Sequence, residues 1–550
     1  MINCRFGLPE VVLIVTVFST LVACDDGLDV LEIEPPIIEI LQGTDLIEKN
    51  VRDTVPVPIN IRLAASEGLA SFELTKNGEV VDELTFTDDF SHLYEYEYII
   101  EDGLKAGDAV LFNFKLTDQL GQVTERPVTL QLLNRLFFIE NTEVNGQVLK
   151  GITGTIDTAF TMTADTAWLV QGDLGVQAGA TLKIEPGTTV YMKTFDDLGE
   201  SSGITIERDA RIEAEGTKDA PIVFTSERVL TGNAAAGDWG SFNLRGRSPV
   251  NGGIDGVILA GPYGGQEPEH DAGIMRYVRI EYTGKNGSDA FRLQGVGSGT
   301  TLEYIQLYRS TGEGFKISGG TCYMRYIVAT AIYDDNMEWE NGFRGKGQFW
   351  VFESDTERQS EISFYGKNFQ NLEPKSNPIF SNVTILGPGE NAEFEFNDNM
   401  VPFNNRGMRM TNSTHGRMYN FIVTQFNDDG VRVEQAFDRG DITGPDGNLV
   451  ISHTFSFNNK DNYDLDGKYY IYDPDDPGSD PANAVYNNSQ EVVPGIGIGD
   501  FVGSRSEGAI DPTTLDPWFL EAPFIGAVEN EANDWTSDGS WCKNLDDSIR

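Results

Sequence analysis

The chain has 550 residues, of which 86 are acidic and 40 are basic, so its formal net charge is −46 at pH 7. A surface of this charge repels nucleic acid and anionic lipid headgroups, and we expect neither to be bound electrostatically. The 59 glycines and 11% aromatic residues, without long helical periodicities, are typical of a turn-rich all-β protein. A chain of this length is expected to hold two or more domains.

The first residues carry the features of an export signal. Arg5 precedes a mostly apolar run from Val11 to Val22, which is short for a membrane span. The run ends in Leu21-Val-Ala-Cys24, which resembles the lipobox of bacterial lipoproteins. That resemblance implies that residues 1–23 are removed and that Cys24 receives lipid, which would anchor the protein in the outer membrane. An ordinary signal peptide with a chance cysteine is the alternative.

The residues after Cys24 extend this prediction. Asp25 and Asp26 resemble the export signal of surface lipoproteins in the Bacteroidota, which implies exposure at the cell surface. Residues 24–36 are predicted to form a short tether. Cys322 and Cys542 lie far apart in the chain, so we expect no disulfide between them.

Residues 37–135 are predicted to form a separate β domain. About seven short segments largely alternate between apolar and polar residues, and turn signals such as Lys76-Asn-Gly separate them. This number of strands in about a hundred residues favours an Ig-like sandwich. Tyr94, Tyr96 and Tyr98 share one face of a segment, and we expect a packed face rather than a sugar-binding platform.

A repeat organises the rest of the chain, residues 136–550. The segments Met275-Arg-Tyr-Val-Arg-Ile, Leu302-Glu-Tyr-Ile-Gln-Leu and Met324-Arg-Tyr-Ile-Val are copies of one short strand, separated by 22 to 27 residues. A turn and a second short strand follow each copy, beginning at Phe291, Phe315 and Met337. Two strands per repeat that stack on the next copy predict a right-handed parallel β-helix.

The second strand of each copy defines the expected orientation of its side chains. Apolar residues lie two apart, as in Phe315 and Ile317, with a charged residue such as Lys316 between them. Because alternate side chains of a strand point to opposite faces, Phe315 is expected in the core and Lys316 in solvent. The aromatic stretch from Trp518 to Trp541 is predicted to form a C-terminal cap over the last coil.

The order of motifs in this region resembles a family of parallel β-helix proteins common at the Bacteroidota cell surface. The resemblance covers about residues 165–541, and it includes Gly179-Ala-Thr-Leu-Lys-Ile-Glu-Pro-Gly187, Gly237-Asp-Trp-Gly and Phe343-Arg-Gly-Lys-Gly-Gln-Phe. It implies a secreted, anchored β-helix. Most members of that family have no settled biochemical role.

Acidic residues recur in the turn before the second strand. Asp335 and Asp429 stand at equivalent places in two copies, and Asp334 and Asp428 precede them. One hypothesis is a row of oxygen ligands that holds Ca²⁺. The other, which we favour, is that these carboxylates accept hydrogen bonds in the turn and face solvent.

Residues with catalytic potential are few. The four histidines lack metal-binding spacing, and the sequence has no credible serine nucleophile elbow. Polysaccharide lyases and glycosidases share the β-helix fold, so one charged segment deserves comparison with their carboxylates and basic residues. Its candidates are Asp334, Asp335, Glu338, Glu340, Arg344 and Lys346, with Trp339 and Trp350 nearby, and alternation places Trp339 in the core.

Three functions stay open on the sequence alone. The favoured one is a surface binding or adhesion module, with polysaccharide as its ligand. The second is a structural or accessory lipoprotein that partners another envelope protein. The third, a polysaccharide lyase or glycoside hydrolase, is the least favoured because no lyase signature is present and the fold alone does not imply activity.

Overall fold

A computed structural model describes residues 35–41, 45–50, 56–101, 103–105, 107–133, 137–196, 200–251, 263–355, 361–368, 372–396, 399–402, 405–412, 414–434, 448–465 and 488–550. Contacts divide these residues into two compact units, one that ends at Leu133 and one that follows it. The predicted domain bounds, 135 and 136, lie beside this division. In the described part of the chain, no helix has the length and apolar character needed to span a membrane.

The first unit consists of two sheets that share one core. The order of the three-stranded sheet is β1-β3-β6, and that of the five-stranded sheet is β2-β8-β7-β4-β5. The strands are β1 (Ile37–Ile40), β2 (Leu46–Asn50), β3 (Val57–Ala64), β4 (Leu69–Lys76), β5 (Glu79–Thr85), β6 (Ser91–Tyr98), β7 (Ala109–Asp118) and β8 (Val123–Leu133).

Alternating apolar residues from both sheets fill this core. The ring centroids of Phe72 and Tyr94, one from each sheet, lie 4.6 Å apart. Tyr94 and Tyr98 are buried and Tyr96 packs against the same core, so the expected packed face of this strand is confirmed. Whether the strand connections are Ig-like stays a prediction.

The second unit contains a sheet of 25 strands, nearly all of them parallel, that winds into a β-helix. The predicted parallel β-helix is therefore confirmed. Its early strands are β9 (Phe137–Phe138), β10 (Thr142–Val144), β11 (Gln147–Ile156), β12 (Phe160–Met162), β13 (Trp168–Val176), β14 (Thr181–Ile184), β15 (Thr189–Met192), β16 (Gly203–Ile206), β17 (Arg211–Glu215), β18 (Ile222–Ser226) and β19 (Phe242–Arg245).

The later coils each contain one long strand and one short strand. They are β20 (Gly273–Thr283), β21 (Phe291–Gln294), β22 (Thr301–Ser310), β23 (Phe315–Ser318), β24 (Tyr323–Ile332), β25 (Met337–Glu340), β26 (Lys346–Glu353), β27 (Ile362–Gly366), β28 (Ile379–Leu386), β31 (Arg406–Met410), β32 (Gly416–Thr424), β33 (Asp429–Val433), β34 (Leu449–Phe457) and β35 (Asp461–Leu465). A hairpin, β29 (Glu393–Phe396) with β30 (Asn399–Pro402), lies between β28 and β31 in the chain. Short 3-10 helices span Glu227–Thr231, Lys285–Gly287, Pro512–Thr514 and Glu531–Asn533.

Strand pairing divides this continuous sheet into three walls of the β-helix, which we call the first, second and third sheets. The first sheet runs from the end of β13 through β16, β19, β21, β23, β25, β27, β31, β33 and β35. The second sheet runs through β14 and β17, and the third through β15 and β18. From β20 onward one long strand serves both walls, because its first half pairs with β17 and its second half with β18.

A left-handed residue bends each long strand at the corner between the second and third sheets. Seven such residues stack in register, and all have positive φ: Tyr277, Tyr304, Tyr326, Phe349, Asn382, Asn420 and His453. Positive φ is unusual for a bulky aromatic residue. The first four rings stack face to face, with centroids 4.3 to 5.1 Å apart, so ring contacts along the column accompany the strained backbone.

The interior is filled by apolar ladders, as predicted. Phe291, Phe315 and Met337 are fully buried and pair in register on successive coils. Full burial of each ring or thioether removes most of its surface from water, which stabilises the fold by about 1.5–3 kcal/mol per side chain. The isolated two-strand repeat cannot bury this face, so stacking drives the coil.

Residues 488–550, which we call the strap, begin beside β34, where Ser489 exchanges backbone hydrogen bonds with Thr454 and Ser456, and then lie along the flank of the β-helix. Trp518 contacts Tyr323, whereas Trp541 packs against Tyr277 and Tyr304 in earlier coils. The predicted cap over the last coil is therefore wrong. The aromatic residues of this segment instead pack against the side of the coils. The strap includes β36 (Gly503–Arg505) and β37 (Ile525–Val528).

Candidate functional site

A row of polar side chains projects outward from the first sheet. The register of the strands aligns one outward residue on each of six successive coils, spaced about 4.8 Å apart. These residues are Arg292, Lys316, Glu338, Tyr365, Arg409 and Arg432. Together with the charged residues that contact them, they form what we call the charged row.

Glu338 is the most connected carboxylate of this row. Its side chain is almost completely buried, and its Oε1 accepts from the Nζ of Lys316 and, at 2.8 Å, from the Nζ of Lys367. Lys367 also lies 3.5 Å from Glu340, whose Oε1 accepts from Ser318 at 3.2 Å. Two ammonium groups thus share two carboxylates on a single strand.

The prediction that Lys316 faces open solvent is wrong. Its side chain points outward as alternation requires, but it is only 17% exposed and contacts both Glu313 and Glu338. Burial alone would lower the pKa of Lys316, yet the nearby carboxylates Glu338, Glu340 and Glu313 raise it. Lys316 is therefore a fixed cation of the row.

Asp289 and Glu313 form a carboxyl pair at the start of the row. Burial, followed by a hydrogen bond to Glu313, raises the pKa of Asp289 to about 8. Burial opposes ionisation of Glu313 too, but the hydrogen bond from Asp289 and the charge of Lys316 lower its pKa to about 2. The pair therefore holds one proton at neutral pH, and Arg292 donates to Asp289.

Asp334 and Asp335 occupy the next turn. Asp335 is buried, and its Oδ1 accepts a hydrogen bond from the backbone N–H of Ile362 at 3.1 Å. Burial and the charge of Asp334 raise the pKa of Asp335 well above its usual value. Burial and the charge of Glu313 raise the pKa of Asp334 to about 6. Asp335 thus accepts a hydrogen bond in the turn, as predicted for these acids. It does not face solvent, which was also expected of them.

Asp428 and Asp429 lie elsewhere along the row and have cationic partners. The guanidinium group of Arg406 is 2.7 Å from Asp428 and 3.1 Å from Asp429, and Arg432 is 2.9 Å from Asp429. Burial and the neighbouring charge of Asp429 raise the pKa of Asp428. These two carboxylates are neutralised by arginine.

The structure does not bring the four aspartates of the predicted calcium row together. In the strand register Asp335 aligns with Ile362, then with Arg406, and only then with Asp429. Three strand spacings amount to about 14 Å, too far for the two pairs to share an ion. Among the described residues, no group of three or more histidine, cysteine or acidic side chains could hold a metal.

The remaining predicted candidates separate from this cluster. Trp339 and Trp350 are fully buried in the core. Lys346 lies on the second sheet, where its Nζ is 2.6 Å from Asp516 of the strap. Arg344 is exposed in a turn. Cys24, the predicted lipidation site, lies outside the described residues.

Two members of the row, Tyr365 and Lys367, were missed in the sequence, whereas Arg409 was expected to face outward between Met408 and Met410. Lys367 and Arg409 lie over the ring of Tyr365, with distances to its centroid of 5.4 and 5.2 Å. The coil that contains Tyr365 differs from the repeat in length. The alternation of Ile362, Phe364 and Gly366 with polar residues was the only local signal that could have identified its strand.

The fold and the row define a parallel β-helix protein with a polar outer wall. Residues 154–479 match the family of pectate-lyase-like β-helix domains, and the chain belongs to this family. A search of curated proteins found no match.

Two solved structures share low similarity with the chain. A pectate lyase from Pectobacterium carotovorum is 9% identical, with 78% of this chain and 100% of that chain covered and a TM-score of 0.15. A family 28 exopolygalacturonase from Yersinia enterocolitica is 8% identical, with 79% and 91% covered and a TM-score of 0.15. At these scores neither structure bears on what this chain does.

Proposed function

We propose that this protein binds neutral polysaccharides along the charged row. The observation that carries the proposal is the register: donors and acceptors project from successive coils of one wall, about 4.8 Å apart. Lys367 and Arg409 supply N–H donors, whereas Glu340 and Glu434 supply acceptors. Sugar hydroxyl groups both donate and accept, so they complement such a mixed row.

The charge balance of the row favours a neutral ligand. Acidic residues outnumber basic ones 86 to 40 in the whole chain, which repels polyanions at long range. Within the row, a carboxylate lies within 4 Å of each of Arg292, Lys316, Lys367, Arg406, Arg409 and Arg432. Because the row has no net excess of cations, its electrostatic attraction for a negatively charged uronate chain is weak.

The ion pairs also preorganise the row. Lysine and arginine lose much rotamer freedom when they are fixed, which is a cost of binding when it occurs only in the complex. Here Lys367 is held by Glu338 and Arg409 by Glu434, at 2.8 Å each. Their side chains remain partly exposed, at 25% for Lys367 and 27% for Arg409.

The carboxyl groups of the row favour binding over cleavage. Glycosidases hold two carboxyl groups about 5–5.5 Å or 6.5–9.5 Å apart, with the sugar or a water between them. Asp289 and Glu313 are instead hydrogen bonded to each other, which leaves no room between them. Glu338 is shared by two lysines, which favours a fixed carboxylate rather than a proton donor.

Calorimetric titration of the protein with defined polysaccharides tests this proposal. The probes are glucomannan, xyloglucan and galactan as neutral chains, with polygalacturonate and alginate as uronate chains. We expect binding to at least one neutral chain with little dependence on salt. Lys367→Ala and Arg409→Ala should each weaken it roughly tenfold or more, since a hydrogen bond to a charged group contributes about 1.5–3 kcal/mol.

Matched controls use the other walls. Lys183 lies exposed on β14 of the second sheet, and Arg344 is exposed in a turn, so Lys183→Ala and Arg344→Ala should leave affinity unchanged. Binding of uronate chains alone, with a steep loss in salt, would contradict the neutral-ligand proposal. Release of reducing ends or unsaturated sugars would instead establish an enzyme.

We further propose that the protein is a lipoprotein of the outer membrane, anchored through Cys24 and exposed at the surface. The support is the sequence Leu21-Val-Ala-Cys24 with two acidic residues after it. Cys24→Ser should move the protein from the membrane fraction to the soluble fraction. An unchanged membrane fraction would refute the anchor.

A further inference from the structure

The strap covers the outward face of the third sheet and forms a second apolar core with it. Val351, Ile422 and Phe455 of the sheet pack with strap residues that include Ile525 and Trp541. Carboxamides add paired hydrogen bonds. Gln306 and Gln348 each donate to a strap carbonyl and accept from the N–H of the same residue, Lys543 and Leu520 respectively. These contacts carry no charge.

Two glutamates lie in this interface, in the same column of the third sheet. The register aligns Glu281 with Tyr308, Thr330 and then Glu353. Both glutamates are buried, with exposed fractions of 2% and 5%. Glu353 lies two residues after Val351, so alternation points its side chain toward the strap, as it does that of Val351. Glu281 lies in the same column and points the same way.

Glu281 has a complete set of partners. It accepts from Arg279 and from Thr225, whose Oγ1 is 2.7 Å away, and its Oε1 lies 3.1 Å from the Nζ of Lys543 in the strap. Burial opposes ionisation of Glu281, but Arg279 and Lys543 lower its pKa. This glutamate therefore ties the strap to the wall as an anion.

Glu353 has no such partners. Within the described part of the chain, no lysine, arginine or histidine lies within 4 Å of it. The charged groups that face it are Arg550 and Asp500 of the strap and Asp355 of its own wall. Arg550 is 3.2 Å from Asp534, and Asp355 is 3.6 Å from Arg309, so each already has an opposite charge.

We propose that Glu353 makes the strap a pH-sensitive latch, closed while this carboxyl is protonated and loosened when it ionises. An ionised carboxylate in this interface is removed from water without gaining an ion pair, so its ionisation destabilises the closed strap. Opening of the strap returns the carboxylate to water. The open strap would expose the apolar outer face of the third sheet.

The direction of the pH effect follows from burial. Burial, partly offset by Arg550, raises the pKa of Glu353 from 4.5 to about 7. The closed strap thus binds the proton more tightly than the open one. The stabilisation is fully present below pH 4.5, declines as the pH rises, and is lost above about pH 7.

Hydrogen exchange of the full chain at pH 5.5 and pH 8, corrected for intrinsic rates, tests the latch. The reporters are the N–H groups of Lys543, Leu520 and Ala527, each of which donates to a side chain of the wall. We expect their opening equilibrium to rise roughly thirtyfold between the two pH values, as a pKa shift from 4.5 to about 7 requires. Strand β16 of the first sheet, which contains no titratable residue, should not respond.

Two variants isolate Glu353 from the other carboxylates. Glu353→Gln should remove most of the pH dependence and keep the strap protected at pH 8. Glu281→Gln, in the same column, should loosen the strap at both pH values because it removes an anion with cationic partners. Arg550→Gln should move the midpoint of the transition to higher pH.

The results that overturn the latch are equally specific. Equal pH dependence in the wild type and in Glu353→Gln would assign the effect to other groups. Strap protection that does not change between pH 5.5 and pH 8 in the wild type would show that no latch exists. If Glu353→Gln folds poorly, an unmoved midpoint in Arg550→Gln contradicts the proposal by itself.

Discussion

The outer faces of the first and third sheets differ although their inner faces are alike. Both sheets direct apolar ladders into one core. Outward from the first sheet stand charged side chains that pair with one another, as Lys367 does with Glu338. Outward from the third sheet stand Val328, Val351 and Ile422, which the strap covers.

This difference shows that the inward apolar residues stabilise the stacked coils. The outward residues determine whether a wall is covered by the strap or stays accessible. An apolar outer wall requires a cover, and the chain supplies one from its own strap. A wall of balanced ion pairs remains accessible without exposing apolar surface. The first sheet is therefore the wall on which a polar ligand can bind, whereas the third sheet is occupied.

The largest expected effect breaks the covered wall. Trp541 is fully buried and packs against Tyr277 and Tyr304. Trp541→Ala should cost about 3–5 kcal/mol of strap stability, because it removes a large buried ring and leaves a cavity. Hydrogen exchange of the strap measures this loss. A cost below about 1 kcal/mol would show that the strap is held by its polar contacts alone.

The next effect breaks the charged wall. Glu338→Gln keeps the shape of the side chain but leaves Lys316 and Lys367 without their shared carboxylate. We expect a loss of about 1–3 kcal/mol in the free energy of unfolding, measured by chemical denaturation. Arg344→Ala, at an exposed turn, is the control and should stay within about 0.5 kcal/mol. Equal losses in both would mean that the row is not structurally coupled.

A smaller effect concerns the shared proton of Asp289 and Glu313. The pKa of Asp289 is raised to about 8, so its contribution to stability is present at acidic pH and is lost as the pH rises through 8. Asn at position 289 can donate to Glu313 without a proton from water. Asp289→Asn should therefore match the wild type near pH 5 and exceed it near pH 9. If the denaturation midpoints of Asp289→Asn and the wild type differed by the same amount at both pH values, the shared proton would be contradicted.

Much of the fold was predictable because it depends on short-range periodicity. Alternation in segments such as Phe315-Lys-Ile identified the inward ladder, and their recurrence identified the stacking. The bend at Tyr277 was not predictable in this way. The alternation shifts by one residue there, because Met275 and Val278 both face the core, but such a shift does not by itself identify a left-handed corner between two walls.

The row and the strap were harder to predict because their contacts are distant in sequence. The calcium hypothesis rested on the equivalent places of Asp335 and Asp429 before their strands, but two coils of irregular length lie between them. Gln348 pairs with Leu520 across 172 residues. Neither relation leaves a local pattern, and the exposure of Lys316 depends on charges brought by adjacent coils.

Hydrogen exchange of the full chain with and without a neutral polysaccharide that binds it tests the assignment of the two walls most directly. We expect new protection on strands of the first sheet, from β21 to β33, with the strap and the third sheet unchanged. Protection confined to the strap or to the third sheet would contradict it, because the ligand would then bind the wall that we assign as covered.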